Sequence, residues 1–381
     1  MAGGELRVRP AASAVDIDAF IRFQWDIYRN DPLWVPPVIS HLKGFLDKKT
    51  GPFFEIGDAE YFLAERGGKI VGRISAHVNR AYEELHDADT GFFGFFESVD
   101  DQEVADALFE TAAAWVKKRG KTRLHGPLSF SIYDEVGLLV EGFDVRPIMM
   151  HSHNPPYYER LVENWGFTKT YDWYAYRIDR SYGDTIDVEK LKAQRDLILK
   201  RNNLTISHPR RKEFLERSAE VRELFNDIWS KNWGHIPLTE RQWNDAYAQL
   251  APILRLDLLN IIMDGDEVAA FSVVSPDINL TLHKLNGKLG PVGMAKLFWD
   301  CRVRPLRVCR AVIMGVKKTH QWKRLHHAIM IQIVVNFIEN HPKVEFCDCS
   351  LIPESLTQWN KTLQAYGGRR YKTFRLYDRN I

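Results

Sequence analysis

Two stretches of this 381-residue chain carry side chains able to do acid–base or anion chemistry. The first holds Tyr133, Asp134, Glu135, His151, His153, Asn154, Tyr157 and Tyr158. Histidine has the unperturbed pKa nearest neutrality, so His151 and His153 are candidate proton acceptors, and they share a face if their segment is extended. Glu135 is a third candidate, and Glu354 in Pro353-Glu354-Ser355 a fourth. Tyr157 and Tyr158 offer hydroxyl acids, or else pack as ordinary core residues. The second stretch is basic. Lys317, Lys318, Lys323 and Arg324 stand at the start of a long helix, where unpaired N–H groups and the helix dipole favour an anion. A solvated basic helix start is the competing reading.

Fifty-two Lys and Arg against 50 Asp and Glu leave a net charge near +2, which excludes a chain-wide nucleic-acid-binding role. The hydrophobic share of 45% and charged share of 27% are those of a globular protein. Cys347 and Cys349, two apart in an apparent strand, share a face and do not form a zinc knuckle with Cys301 and Cys309, so buried thiols and no metal are expected. The start of the chain lacks the apolar core of a secretory signal, and no stretch approaches the roughly 20 apolar residues of a membrane span. A cytoplasmic protein is the expectation.

The elements that position these residues occur twice. Tyr61–Arg66, Gly67-Gly68 and Lys69–Ile74 read as a hairpin, as do Leu259–Met263, Asp264-Gly265-Asp266 and Glu267–Ser272, about 200 residues later. Each is followed by a strand and a long helix: Phe92–Ser98 before Asp101–Arg119, and Ala311–Val316 before Lys323–Asn340. The first helix places Val104, Ala107, Leu108, Thr111, Ala112, Trp115 and Val116 on one stripe. The second is apolar almost all round from Ile329 to Ile338, which predicts burial on most sides. A short helix and a Gly-marked last strand close both halves: Tyr158–Asn164 then Gly166–Ile178, and Leu356–Tyr366 then Gly367–Tyr377. The order predicts an α/β (α+β) chain of two domains, residues 1–180 and 185–381, each a mixed, mostly antiparallel sheet flanked by helices.

That layout resembles the GNAT superfamily of acyl-CoA N-acyltransferases. The likeness is carried by Ile313-Met314-Gly315-Val316-Lys317-Lys318 and by the closing strand from Gly367 to Tyr377. In the first half, His125-Gly126-Pro127-Leu128-Ser129, Glu135 through Phe143, and Asn154-Pro155-Pro156-Tyr157-Tyr158 are similar to a bacterial tandem-GNAT branch that includes ceramide synthases. The resemblance implies acyl-CoA as donor, or an acyl carrier protein, and direct attack by an amine. It places the pyrophosphate at Thr319-His320-Gln321-Trp322-Lys323-Arg324-Leu325-His326. Gln321 fits the family loop, whereas Arg324 and His326 stand where the loop has glycines. Oxyanion donors are implied at Gly315 and Val316. The counterpart in the first half, Val99-Asp100-Asp101-Gln102-Glu103, repels a pyrophosphate, so the first half is expected to be degenerate for the cofactor and to carry an acceptor-side insertion.

A proton acceptor from that insertion, His151, His153 or Glu135, is then expected to serve a thioester held by the second half. The branch implies a long-chain acyl-CoA and a sphingoid base as partners. Residues 282–307 mix Leu297, Phe298 and Trp299 with many cations, which suits a peripheral contact with anionic membrane, an acyl-chain opening, or an ordinary packed helix. A small-amine N-acetyltransferase, an aminoacyl transferase and a non-catalytic acyl-CoA-binding module are the alternatives.

Overall fold

The computed structural model describes residues 4–207, 213 and 216–381. Thirteen strands are named among them: β1 (Leu6–Pro10), β2 (Gly57–Arg66), β3 (Lys69–Asn79), β4 (Thr90–Ser98), β5 (Arg123–Gly126), β6 (Leu138–Glu141), β7 (Thr168–Asp179), β8 (Thr205–Ser207), β9 (Leu259–Asp264), β10 (Glu267–Pro276), β11 (Val308–Val316), β12 (Phe346–Pro353) and β13 (Arg369–Asn380). The chain divides into two compact units. The first contains Met1–Tyr174, Asn279–Gly293 and Lys372–Ile381; the second contains Ala175–Ile278 and Met294–Tyr371.

In the first unit the strand order is β1-β2-β3-β4-β5-β13, with β6 also pairing β13. The C-terminal strand thus completes the sheet begun by the N-terminus: Tyr377 pairs with Gly126 and Asn380 with Arg123. The β2–β3 hairpin turns at Gly67 and Gly68, whose φ values of +59° and +76° suit glycine and strain other residues. Helix Gln102–Lys117 lies on one face of the sheet. Its buried stripe is Val104, Ala105, Leu108, Phe109, Ala112, Ala113 and Val116, which differs from the expected one. Phe109 draws it round, because its ring meets Phe93, Phe96, Trp165 and Phe167 at centroid distances of 5.4, 4.6, 5.4 and 5.2 Å. Ala107, Thr111 and Trp115 are left at the half-buried margin.

In the second unit the order is β12-β11-β10-β9-β8. Helix Leu325–Asn340 buries nine residues from Leu325 to Asn336, as its all-round apolar pattern predicts. A second helix, Val188–Arg201, covers its outer side through Arg195 on Gln332 (2.7 Å) and Lys192 on Glu339. All four cysteines are buried and free. No helix among the described residues is long and apolar enough to cross a membrane.

Candidate active site

A groove in the second unit arises because two parallel strands part. β11 and β12 pair only from Val308–Phe346 to Ala311–Cys349; beyond that point Val312–Val316 and Ser350–Pro353 diverge. The cause lies on the other edge of β11, where Val273 opposes Ile313 but Val274 opposes Ala311, so Val312 is an extra residue. Such a bulge bends its strand and increases its twist. The opened space is a cavity of about 590 Å³ walled by side chains that include Ile313, Met314, Met330, Ile333, Ile352 and Leu363. Because Lys317 donates its N–H to Ala269 on β10 (2.9 Å), strand alternation turns the N–H groups of Val316 and Met314 to the open edge. Gly315 serves packing: a Cβ there would stand 2.7 Å from Cδ1 of Ile228 on helix Ser218–Trp229.

One end of the groove reaches Gln321 and His326, at the start of helix Leu325–Asn340. That start has no side-chain cap, so its first N–H groups are open to an anion. Arg324, the N-cap residue, is exposed and holds φ +60°, the left-handed conformation for which glycine is the natural choice. The other basic residues are engaged. Lys317 bonds Glu267, Lys318 bonds Asp227 (2.7 Å), and His320 and Lys323 meet on Asp264 at 2.9 and 3.1 Å. Those two partners hold the Asp264 carboxyl below its ordinary pKa. Burial, with His327 and Arg324 nearby, pushes His326 down to about 4, so it is neutral at pH 7. Glu354 stands outside the cavity lining although Pro353 and Ser355 border it.

The first unit repeats the device and then fills it. β4 pairs β5 only from Thr90 to Phe92, and Arg73 opposes Glu97 while Ser75 opposes Gly94, so β4 also carries an extra residue. Here the chain itself occupies the gap: Leu128 donates its N–H to Phe93 (2.8 Å), and a Cβ on Gly94 would lie 1.9 Å from the Leu128 carbonyl oxygen. The N-terminus of helix Gln102–Lys117 is capped by Asp101, which accepts from Glu103 N at 3.0 Å, and Arg66 bridges Asp101 and Glu103. An anion site of the kind left open in the second unit is occupied by protein carboxylates in the first.

Tyr158 directly, and His153 through Tyr28, meet at a centre absent from the sequence reading. Glu97, 5% exposed, accepts hydrogen bonds from Tyr158 (2.6 Å) and Tyr28 (2.9 Å) and faces Arg73 at 3.5 Å. Burial raises its pKa against the pull of Arg73 and the tyrosines. Tyr158 also accepts from Ser98 N (2.9 Å), and Tyr157 donates to the Ser98 carbonyl (2.7 Å), so both tyrosines pin the end of β4. The one signal in the sequence was a lone acid inside the apolar run Phe92–Ser98.

His153 bonds Asp31 at 2.7 Å, and its carbonyl accepts from Tyr28 (2.8 Å). Burial lowers its pKa although Asp31 opposes the shift. His151 instead packs its ring on Phe374 at 5.1 Å. Their segment forms no strand, and the two rings have different partners. Glu135 keeps accessible surface, yet burial of its carboxyl, with Glu97 adding and Arg73 opposing, pushes its pKa up to about 7. Asp134 beside it is likewise raised to about 7 by burial, and accepts from Ser131 at 2.6 Å.

No protein-family model matches the chain. It is 34% identical over 380 residues to protein YghO of Escherichia coli K12, covering 98% of this chain and 95% of the relative. It is 30% identical over 380 residues to the bacterial ceramide synthase of Caulobacter vibrioides, covering 99% and 98%. A solved tandem GNAT protein from the clavulanic acid biosynthesis pathway shares the fold at TM-score 0.57 and 12% identity, covering 99% of this chain and 98% of that one. A GCN5-related N-acetyltransferase from Sphaerobacter thermophilus does so at TM-score 0.51 and 10% identity, covering 98% and 95%. Two units with the same bulged, parted strands, on a chain with these relatives, make an acyltransferase of the tandem GNAT type. The chain belongs to the family of the Caulobacter bacterial ceramide synthase and protein YghO.

Proposed function

We propose that this enzyme transfers a long-chain acyl group from acyl-CoA to the amine of a sphingoid base, giving a ceramide-type amide. The observation that carries the reading is the aliphatic groove between β11 and β12, with an uncapped helix start at one end and a volume of about 590 Å³. Pockets of a few hundred to about 1,000 Å³ enclose ligands of this size class. The relative named bacterial ceramide synthase supports the acceptor. Acyl-CoA is the donor we favour, because the uncapped helix start at the end of the groove suits its pyrophosphate.

In the reaction the neutral amine attacks the thioester carbonyl, the C–S bond breaks, the CoA thiolate leaves, and the amine loses a proton. The N–H groups of Val316 and Met314 suit the developing oxyanion. Glu135 is the proton acceptor we assign: it is accessible, and its pKa of about 7 matches a base working near neutrality. His153, bonded to Asp31, holds the residue that buttresses Glu97 and is assigned a positioning role. Purified protein given palmitoyl-CoA and sphinganine should yield the N-acyl amide by mass spectrometry, and Ile333→Trp, which narrows the groove, should shift preference to shorter acyl-CoAs. Preference for acetyl-CoA with a small hydrophilic amine would overturn the reading.

A further inference from the structure

Large apolar side chains that face solvent are concentrated in one stretch. Among the described residues 11 are exposed, and six of them, Leu280, Val292, Met294, Phe298, Trp299 and Val303, fall within 24 residues. Singly exposed apolar residues need no explanation, but a run of them marks a contact surface. Helix Pro291–Phe298 passes into a widened helical turn at Trp299–Val303. Leu297 and Cys301 are buried at 5% and 3%, whereas Phe298, Trp299 and Val303 are 51%, 55% and 50% exposed. Arg302 fastens the turn by donating to the carbonyls of Ala251 (2.9 Å) and Pro252 (3.2 Å), and its guanidinium lies 5.5 Å from the Phe298 ring centroid. The aromatic pair is therefore held outward by a fixed turn.

Charge says what covers it. Residues 282–307 contain six Lys and Arg against one acid, Asp300. Lys296 and Arg304 share Asp300 at 3.4 and 3.0 Å, and Arg307 meets Glu345 at 2.7 Å with its side chain 68% exposed. The exposed Arg307–Glu345 pair is worth little and leaves its cation free to exchange partners, and Lys296 and Arg304 share the single charge of Asp300, so positive charge stays in excess. An aromatic pair ringed by excess positive charge matches the headgroup zone of an anionic bilayer, where Trp and Phe seat at the boundary and Lys and Arg meet phosphates.

We propose that Phe298, Trp299 and Val303, with Lys296, Arg304 and Arg307, form a docking surface for anionic membrane. The inference deepens the lipid-acylating reading and rests on it only for its purpose, since both proposed substrates reside in bilayers. The test is sedimentation of the full chain with phosphatidylglycerol or phosphatidylcholine vesicles. Binding should favour phosphatidylglycerol and weaken as salt shortens the screening length. Phe298→Ser with Trp299→Ser should weaken it by about a hundredfold or more, and Arg304→Glu with Arg307→Glu by at least about tenfold, with unchanged melting temperature. Amide formation from substrates dispersed in detergent should survive both pairs.

Vesicle binding without amide formation by the wild type would sink the substrate assignment and leave the surface standing. Amide formation in detergent without phosphatidylglycerol binding would overturn the surface. So would a chain dimer that the aromatic pair of substitutions splits, which would make a second copy the occupant.

Discussion

Arg324 separates donor binding from folding more cleanly than any other residue of the loop. It is exposed, caps a 16-residue helix without a side-chain bond, and holds φ +60°. A non-glycine residue in that conformation carries roughly 1 kcal/mol of strain. Arg324→Gly relieves it but loosens the unfolded chain by about 0.4–1 kcal/mol, so the two terms nearly cancel and stability should stay within about 0.5 kcal/mol. A hydrogen bond from a charged group to phosphate is worth about 1.5–3 kcal/mol, so CoA affinity should fall by roughly 10- to 100-fold. With CoA at 100 times the wild-type Kd, the wild type gains about 2.7 kcal/mol of stability and a tenfold weaker variant about 1.4, a difference a thermal-shift titration resolves. Lys323 is a poorer probe, because it also holds Asp264. An Arg324→Gly protein that melts like the wild type and binds CoA equally well would place the phosphate site elsewhere.

Because Glu135 titrates near pH 7, turnover should rise with pH through about 7, and Glu135→Gln should cut it by about 10²–10⁴-fold with little change in CoA affinity. Its folded pKa lies above the ordinary carboxyl value, so the proton it binds stabilises the fold fully at low pH and that contribution fades as pH rises through about 7; the wild type should lose stability relative to Glu135→Gln across that interval, read by melting temperature against pH. Glu97→Ala strands buried Arg73 and removes the acceptor of two tyrosines, so urea unfolding should show a loss of about 3–5 kcal/mol. Asp101→Ala with Glu103→Ala uncaps the first-unit helix; it should cost about 1 kcal/mol and create no second CoA site, since Leu128 still fills the gap beside β4, and calorimetry should count one site.

The hairpins and long helices were legible because local chemistry fixes them: Gly67-Gly68 and Asp264-Gly265-Asp266 punctuate runs of strand formers, and the apolar periodicity of Leu325–Asn340 survives folding almost unchanged. What the sequence hid was long-range. Lys317 and Lys318 read as free cations, but their partners Glu267 and Asp227 lie 50 and 91 residues away. The stripe of the first long helix missed Phe109 because its aromatic neighbours come from β4 and from residues 165 and 167. Histidine drew attention as the neutral-pH base by its reference pKa, whereas environment reversed the ranking: burial drives His153 down and Glu135 up.

Two copies of one fold can divide labour only if the shared binding feature is removed from one of them without loss of the sheet that carries it. Both bulges persist, so the parting of the parallel strands is structural. The two units differ in that the first is filled. In the first unit a backbone segment lies against Gly94, and Asp101 takes the helix N–H groups that a phosphate would need. Each filler satisfies donors or volume that an empty groove would leave open, so it adds to the stability of the first unit. The second unit keeps an uncapped helix start and a strained Arg324 there, the kind of local cost that persists where a ligand repays it.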